Sequence, residues 1–251
     1  MSGHSKWAQI KRQKGVTDTK RGQLFTKLGR EITVVARQGG PDPAANFRLR
    51  LAIQRAKENN MPTENIERAI KRGLGGAEGA TLDEVAYEGY GPGGTAILVE
   101  ALTDNRNRTV SDIRSVLTRG GGSLGESGSV SWIFESKGVL TIVPGDRDPE
   151  EVALQAIDSG AEDVKVESDS IEAYTEPHAL ETVRRALEEQ HLQVESAELV
   201  MQPKSAVFLE EKEALQALRL VERLEELDDV QKVYFNADFD SSILERVRAG
   251  S

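Results

Sequence analysis

The sequence predicts an α+β multidomain chain: an N-terminal helical domain followed by two small α+β (ferredoxin-like) domains, one inserted in the other. Three observations lead there. The 251 residues are enough for two or three compact cores. Apolar residues recur at helical spacing up to about residue 73, then give way to short strand-like runs set between helices. Charge is divided between the same two parts. Residues 1–72 hold 16 Lys+Arg against 6 Asp+Glu, a balance of +10, and residues 73–251 hold 16 against 36, a balance of −20. Opposite signs in separate blocks suggest a polyanion-binding part joined to one that does not bind polyanions.

The chain opens with GHSKWAQIKRQKG (3–15), which carries Lys6, Lys11, Arg12 and Lys14 and no acid. Its one aromatic, Trp7, reads as exposed; it suits either stacking on a base or a place in a small core. Thr and Asp residues at 17–19 offer caps for a first helix, which Gly39-Gly40-Pro41 ends. On that helix Leu24, Phe25, Leu28, Ile32 and Val35 share one arc, while Lys20, Lys27, Arg30 and Arg37 share another. Arg21 lies beside Lys20. A second helix is expected after Asp42-Pro43, with Asp42 as its cap. Leu49, Ala52, Ile53 and Ala56 form its apolar strip, with Arg48 and Arg55 along one edge and Arg50 and Lys57 along the other. A third helix starts near Pro62 and stops at Gly73, with Ile66, Ala69 and Ile70 inward. GLGGAEGA (73–80) has no periodicity and reads as a linker.

Strands are expected at 85–91 and 95–102 around a Gly-Pro-Gly-Gly turn, and a helix from about 108 to 119. From residue 130 a second unit begins. SWIFE and GVLTIV read as a hairpin around Ser136-Lys137, followed by a helix, two strands, a helix and a strand, in the order ββαββαβ. A tail helix near 210–227 and the strand VQKVYFNAD complete the unit left open at 128. The expected domains are therefore 1–75, 81–128 with 204–245, and 129–203.

Several chemistries are excluded or disfavoured. Without cysteine there is no disulfide, thiolate nucleophile or Cys-based zinc site. His4, His178 and His191 have no metal-ligand spacing between them. The glycine-rich runs GYGPGGT (89–95) and RGGGSLGESGS (119–129) lack the Gly-Lys-Ser/Thr ending of a phosphate loop and read as turns. The acids of GDRDPEE and LEELDD suit caps and solvated faces. No nucleophile–base pair emerges, so no enzyme activity and no cofactor are expected. No apolar run is long enough for a membrane helix, and no signal sequence is seen, so a cytoplasmic protein is expected. TDNRNRT (103–109) stands apart, placing Arg106 and Arg108 at a strand end before a helix. It reads either as a capping loop with solvated arginines or as a phosphate contact.

These segments, together with TDTKRGQLFTKLGREI, NFRLRLAIQRAKENNMP, NIERAIKRG and YEGYGPGG, resemble the YebC/PmpR family over essentially the whole chain. That family includes the mitochondrial translational activator of cytochrome oxidase. The resemblance implies three domains, one inserted in another. It also implies one of two activities: a transcriptional regulator that binds DNA, or a ribosome-associated factor easing difficult peptide-bond formation. The expected partner is accordingly nucleic acid, DNA or ribosomal RNA, with the ribosome as a further candidate; the oligomeric state is left open. The candidate nucleic-acid-binding residues are Lys6, Trp7, Lys11, Arg12, Lys14, Lys20, Arg21, Lys27, Arg30, Arg48, Arg55, Arg106 and Arg108.

Overall fold

The structure is a computed structural model that describes residue 7 and residues 18–75, 82–166, 170–240 and 242–243, with the side chains of 18–20 outside the description. The expected contacts of Lys6, Lys11, Arg12 and Lys14 fall outside the described residues. The chain divides into two compact units, Met1–Phe134 with Pro203–Ser251, and Glu135–Gln202.

The first unit begins with three helices, α1 (Asp18–Gly39), α2 (Phe47–Glu58) and α3 (Thr63–Gly73). Their apolar arcs meet in one core of Leu28, Ile32, Val35, Ala36, Leu49, Ala52, Ala56, Met61, Ile66 and Ala69. Gly73 lets α3 close on α1: a Cβ there would stand 2.5 Å from the Thr33 carbonyl oxygen. The cap of α2 differs from expectation. Asp42 closes a local turn by accepting from the Ala44 N–H at 2.9 Å. Asn46 is the cap, because its amide serves both sides of the junction. Its Oδ1 accepts from Leu49 N at 3.1 Å, while Nδ2 donates to the Val35 and Gly40 carbonyls at 3.0 and 2.9 Å.

The same unit continues with an antiparallel sheet. Strands β1 (Asp83–Tyr90) and β2 (Ala96–Thr103) pair from Tyr90↔Ala96 to Asp83↔Thr103 across the Gly-Pro-Gly-Gly turn. Helix α4 (Arg106–Arg119) leads to the short β3 (Ser123–Leu124). Strand β9 (Val230–Phe235) pairs with β2, so the tail completes a sheet in the order β3-β1-β2-β9. Helix α4 and a tail helix (Glu211–Glu225) supply Ile113, Leu117, Leu218 and Val221 to a core shared with Ile97, Val99, Val233 and Phe235. The expected strand VQKVYFNAD is broken at Asn236, whose side chain accepts from Ala96 N at 2.7 Å. The last residues, Ala237–Asp238, pair instead with Val207–Phe208 in parallel.

In the second unit, β4 (Phe134–Val143), α5 (Pro149–Asp158), β5 (Asp163–Val166), β6 (Ile171–Thr175), α6 (Leu180–Glu189) and β7 (Gln193–Pro203) form a βαββαβ unit. Its strand order, β5-β6-β4-β7, is that of a ferredoxin-like sheet. The expected hairpin at Ser136-Lys137 is one continuous strand. Gly138 does not turn the chain; it allows a close approach, since a Cβ would stand 2.3 Å from Thr175 Oγ1 on the paired strand. With that strand whole, the tail elements take the names β8 (Val207–Phe208), α7 (Glu211–Glu225) and β10 (Ala237–Asp238).

Candidate nucleic-acid interface

Helix α1 has two polar tasks because its cations do not all point the same way. Lys27 donates from Nζ to the Glu225 carbonyl oxygen at the end of α7. One turn later Arg30 Nη1 reaches the Asp228 carbonyl at 2.8 Å and Asp229 Oδ1 at 2.9 Å. Asp229 is only 7% exposed. Its other oxygen accepts from Arg108 Nη2 and Thr109 Oγ1 at 2.8 and 2.7 Å, and from Thr103 Oγ1 at 3.2 Å. Burial pushes this carboxyl up, but the hydrogen bonds from Arg108, Thr109 and Arg30 and the Arg108 charge hold it below the ordinary aspartate range. A single ionised carboxylate thus joins the helical domain to both the start of α4 and the loop before β9.

TDNRNRT is built around this junction. Asn105 caps α4 by accepting from Arg108 N at 3.1 Å, and Thr103 Oγ1 accepts from Asn105 N at 2.9 Å. Arg108 also pairs with Asp104 at 2.8 Å, and Arg106 with Asp83 at 2.9 Å. Both guanidinium groups therefore meet carboxylates in this state, and the loop has the geometry of a cap and clamp.

Of the two places the sequence leaves open for Trp7, a base stack or a small core, the structure shows the core: its ring is 3% exposed and packs in the core of the sheet domain. Its Nε1 donates to Glu225 Oε2 at 3.2 Å. A ring buried on both faces has no surface on which a base can stack. The signal for the core reading is the lone aromatic in a segment otherwise poor in apolar residues, which suits an anchor.

Of the remaining candidates, Arg48 pairs with Glu84 at 2.9 Å and also bonds Gln38. Burial pushes Glu84 up, yet the bonds from Gln38 and Arg48 hold it low. Arg55 pairs with Glu31 at 3.2 Å within the helical domain. Arg21 is exposed and takes part in a further interaction, and the side chain of Lys20 lies outside the description.

A second set of cations lies outside the candidate residues; the sequence places Arg37 and Lys57 on helix faces but does not single out Arg68, Lys71 or Arg72. Arg37, Lys57, Arg68, Lys71 and Arg72 are exposed and have no side-chain partner among the described residues. The close approach of Gly73 to Thr33, Ala36 and Arg37 brings the last turn of α3 against α1 near Arg37. Arg37, Lys71 and Arg72 therefore gather at one end of the domain, with Arg68 one turn earlier. The spacing of Arg68 and Arg72, one helical turn apart on an amphipathic helix, was the available signal. Among the described residues no cluster of His, Asp and Glu is placed to hold a metal ion, and no helix is long and apolar enough to cross a membrane.

Known proteins match most of this chain. Residues 5–76 match the model of the TACO1/YebC N-terminal domain, and residues 82–237 that of the TACO1/YebC second and third domains. The chain belongs to the TACO1/YebC family. It is 59% identical over 246 residues, 98% of each chain, to a probable transcriptional regulatory protein of Dehalococcoides mccartyi. It is 56% identical over 249 residues, 98% of this chain and 99% of the other, to a probable transcriptional regulatory protein of Chloroflexus aggregans. The crystal structure of a conserved hypothetical protein from Aquifex aeolicus superposes with a TM-score of 0.82 at 48% identity, covering 89% of this chain and 92% of that one. In TACO1/YebC terms, the Asp229 junction joins the N-terminal domain to residues within the second matched region.

Proposed function

We propose that this protein is a nucleic-acid-binding regulator of gene expression that grips phosphate through its helical domain. The observation that carries the reading is the exposed set Arg37, Arg68, Lys71 and Arg72, without a side-chain partner among the described residues, at one end of a domain whose sequence block has a balance of +10. Lysine and arginine free of intramolecular acids displace counterions from a nucleic acid, and the gain grows as salt falls. The basic opening segment, with Lys6, Lys11, Arg12 and Lys14, adds to the same grip. The names of the two relatives, probable transcriptional regulatory proteins, favour DNA as the target.

Ribosomal RNA is the second reading, and one observation favours it. The exposed face of α3 carries Glu64, Glu67, Arg68, Lys71 and Arg72, and the one side-chain amide of the helix, Asn65, is half-buried. On α2, Gln54 is engaged by Glu58 at 3.0 Å. Such a surface recognises phosphate and shape more readily than it reads a major groove.

The deciding experiment measures affinity for a promoter duplex beside co-sedimentation with ribosomes, both near physiological salt. Tight duplex binding with a sequence preference and no ribosome association supports the DNA reading; the converse supports the RNA reading; binding to neither sinks both. Reversing Lys11, Arg12 and Lys14 to Glu is expected to weaken whichever complex forms and to flatten its salt dependence.

A further inference from the structure

The glycine-rich run RGGGSLGESGS forms no phosphate loop, but it builds a rigid mount for two exposed rings. Glu88 on β1 is buried, and its carboxylate accepts three backbone N–H bonds from this loop. Gly128 N meets Oε1, and Val130 N and Ser131 N meet Oε2, each at 2.7 Å. Burial pushes the Glu88 carboxyl up, yet the backbone donors Gly128, Val130 and Ser131 hold it below the ordinary range, so it is ionised at neutral pH and keeps the loop fastened. Gly125 N adds a bond to the Glu88 carbonyl at 2.8 Å.

At the end of this mount Trp132 is 68% exposed, and beside it Tyr90 is 39% exposed. Both rings are tied to one acceptor: the Ser129 carbonyl receives Trp132 Nε1 at 3.0 Å and Tyr90 Oη at 3.2 Å. Lys204 Nζ bonds the Trp132 carbonyl at 3.1 Å, and Lys204 N bonds the Ile133 carbonyl at 2.8 Å. The polar handles of both rings are thus satisfied internally, and what they offer outward is aromatic surface with an ammonium alongside. Of the flanking residues, Ser127, Gly128, Ser129 and Ser131 are small, Val130 is buried and Ile133 is half-buried. They supply no apolar rim of the kind that surrounds a buried protein–protein anchor. A preorganised aromatic face next to a cation is suited to stack a base and neutralise its phosphate.

We propose that Trp132 and Tyr90, with Lys204 beside them, form a stacking platform for an unpaired nucleobase of a single-stranded or bulged segment. This rests on the nucleic-acid reading above and extends it. The helical domain supplies phosphate affinity, and the platform favours unpaired segments over continuous duplex.

The test titrates the full-length protein with a single-stranded oligouridylate, an abasic oligomer of the same length and a blunt duplex, at one fixed salt. Trp132→Ala is expected to weaken oligouridylate binding roughly 5- to 150-fold, the size of one lost base stack. It leaves the abasic oligomer and the duplex unchanged. Trp132→Phe, which keeps a ring and guards against a folding defect, retains most of the affinity. Oligouridylate also quenches the exposed indole of the wild type but not the buried Trp7 that remains in Trp132→Phe. Equal oligouridylate affinity in wild type and Trp132→Ala, with duplex binding intact, overturns the platform and spares the nucleic-acid reading. Failure of the wild type to bind any of the three overturns both. Altered self-association of Trp132→Ala with unchanged oligonucleotide affinity assigns the rings to a protein contact and overturns the proposal.

Discussion

Lys27, Arg30 and Arg48 on one side of the helical domain meet acids or carbonyls of the sheet domain, whereas Arg37, Lys57, Arg68, Lys71 and Arg72 meet none among the described residues. Residue for residue, the two sets contribute equally to the net charge of the block, and a count of charges treats them alike. Their physics differs. A guanidinium already bonded to a carboxylate must give up that partner before it can take a phosphate, while an unpartnered one gives up only water and counterions. The paired set therefore links the domains, and on the proposed function the set without partners among the described residues is the one that meets phosphate.

The sharpest way to break this comparison is to reverse each set separately. Arg68→Glu, Lys71→Glu and Arg72→Glu together are expected to flatten the duplex salt slope by roughly 2.7, or about 0.9 for each phosphate no longer neutralised. Over a tenfold span of salt that is a change of several hundredfold in relative affinity. Thermal stability is expected to move little, because solvated surface substitutions fall within about ±0.5 kcal/mol. Lys27→Glu with Arg30→Glu is expected to do the opposite, lowering the melting temperature while leaving the slope nearly intact. If the second pair flattens the slope as much as the first three, the division between the sets fails.

The next effect is on stability, at Asp229. Asp229→Ala removes a buried acceptor from two guanidinium groups and two hydroxyls and leaves the cations facing each other. Both arginines are partly exposed, which moderates the loss, so a cost on the order of 2–4 kcal/mol is expected in urea unfolding of the full chain. The pH dependence follows from the same cluster. A carboxyl held low in the folded state stabilises in full above the ordinary aspartate value of about 3.9, and that contribution is lost as pH falls through the lower folded-state value. Wild type should lose stability across that acid window more steeply than Asp229→Asn. Parallel acid limbs would show that the junction does not depend on the ionised carboxylate.

Most of the fold was legible because helical periodicity and capping are local. Helix α5 at Pro149–Asp158 and the stop of α3 at Gly73 follow from residues within a turn of each boundary. What escaped was set by distant partners. Asn46 displaced Asp42 as the cap because it also reaches Val35 on the preceding helix and Gly40 just past its end. Gly138 signalled close packing against Thr175 and not a turn, a distinction that needs the paired strand. At the candidate interface the sequence located the basic block but could not sort it. Arg30 and Arg68 look alike along the chain; only the placement of Asp229, 199 residues beyond Arg30, separates them. The sequence alone leaves Trp7 open between a base stack and a core for the same reason, since its partner Glu225 lies 218 residues away.

The smallest expected effect refines the paired set itself. Arg48 and Glu84 also link the helical domain to β1, but their side chains are 50% and 48% exposed. Water screens such a pair, and holding two long side chains costs entropy, so Arg48→Ala is expected to destabilise by less than about 1 kcal/mol. A double-mutant cycle with Glu84→Ala isolates the pair from any packing of the arginine stem. Against the buried Asp229 cluster, the cycle asks whether the junction is one strong point or a row of bonds. A coupling energy matching that of Arg30 with Asp229 would mean that the junction is a row of comparable bonds; a much smaller one leaves the Asp229 cluster as its one strong point.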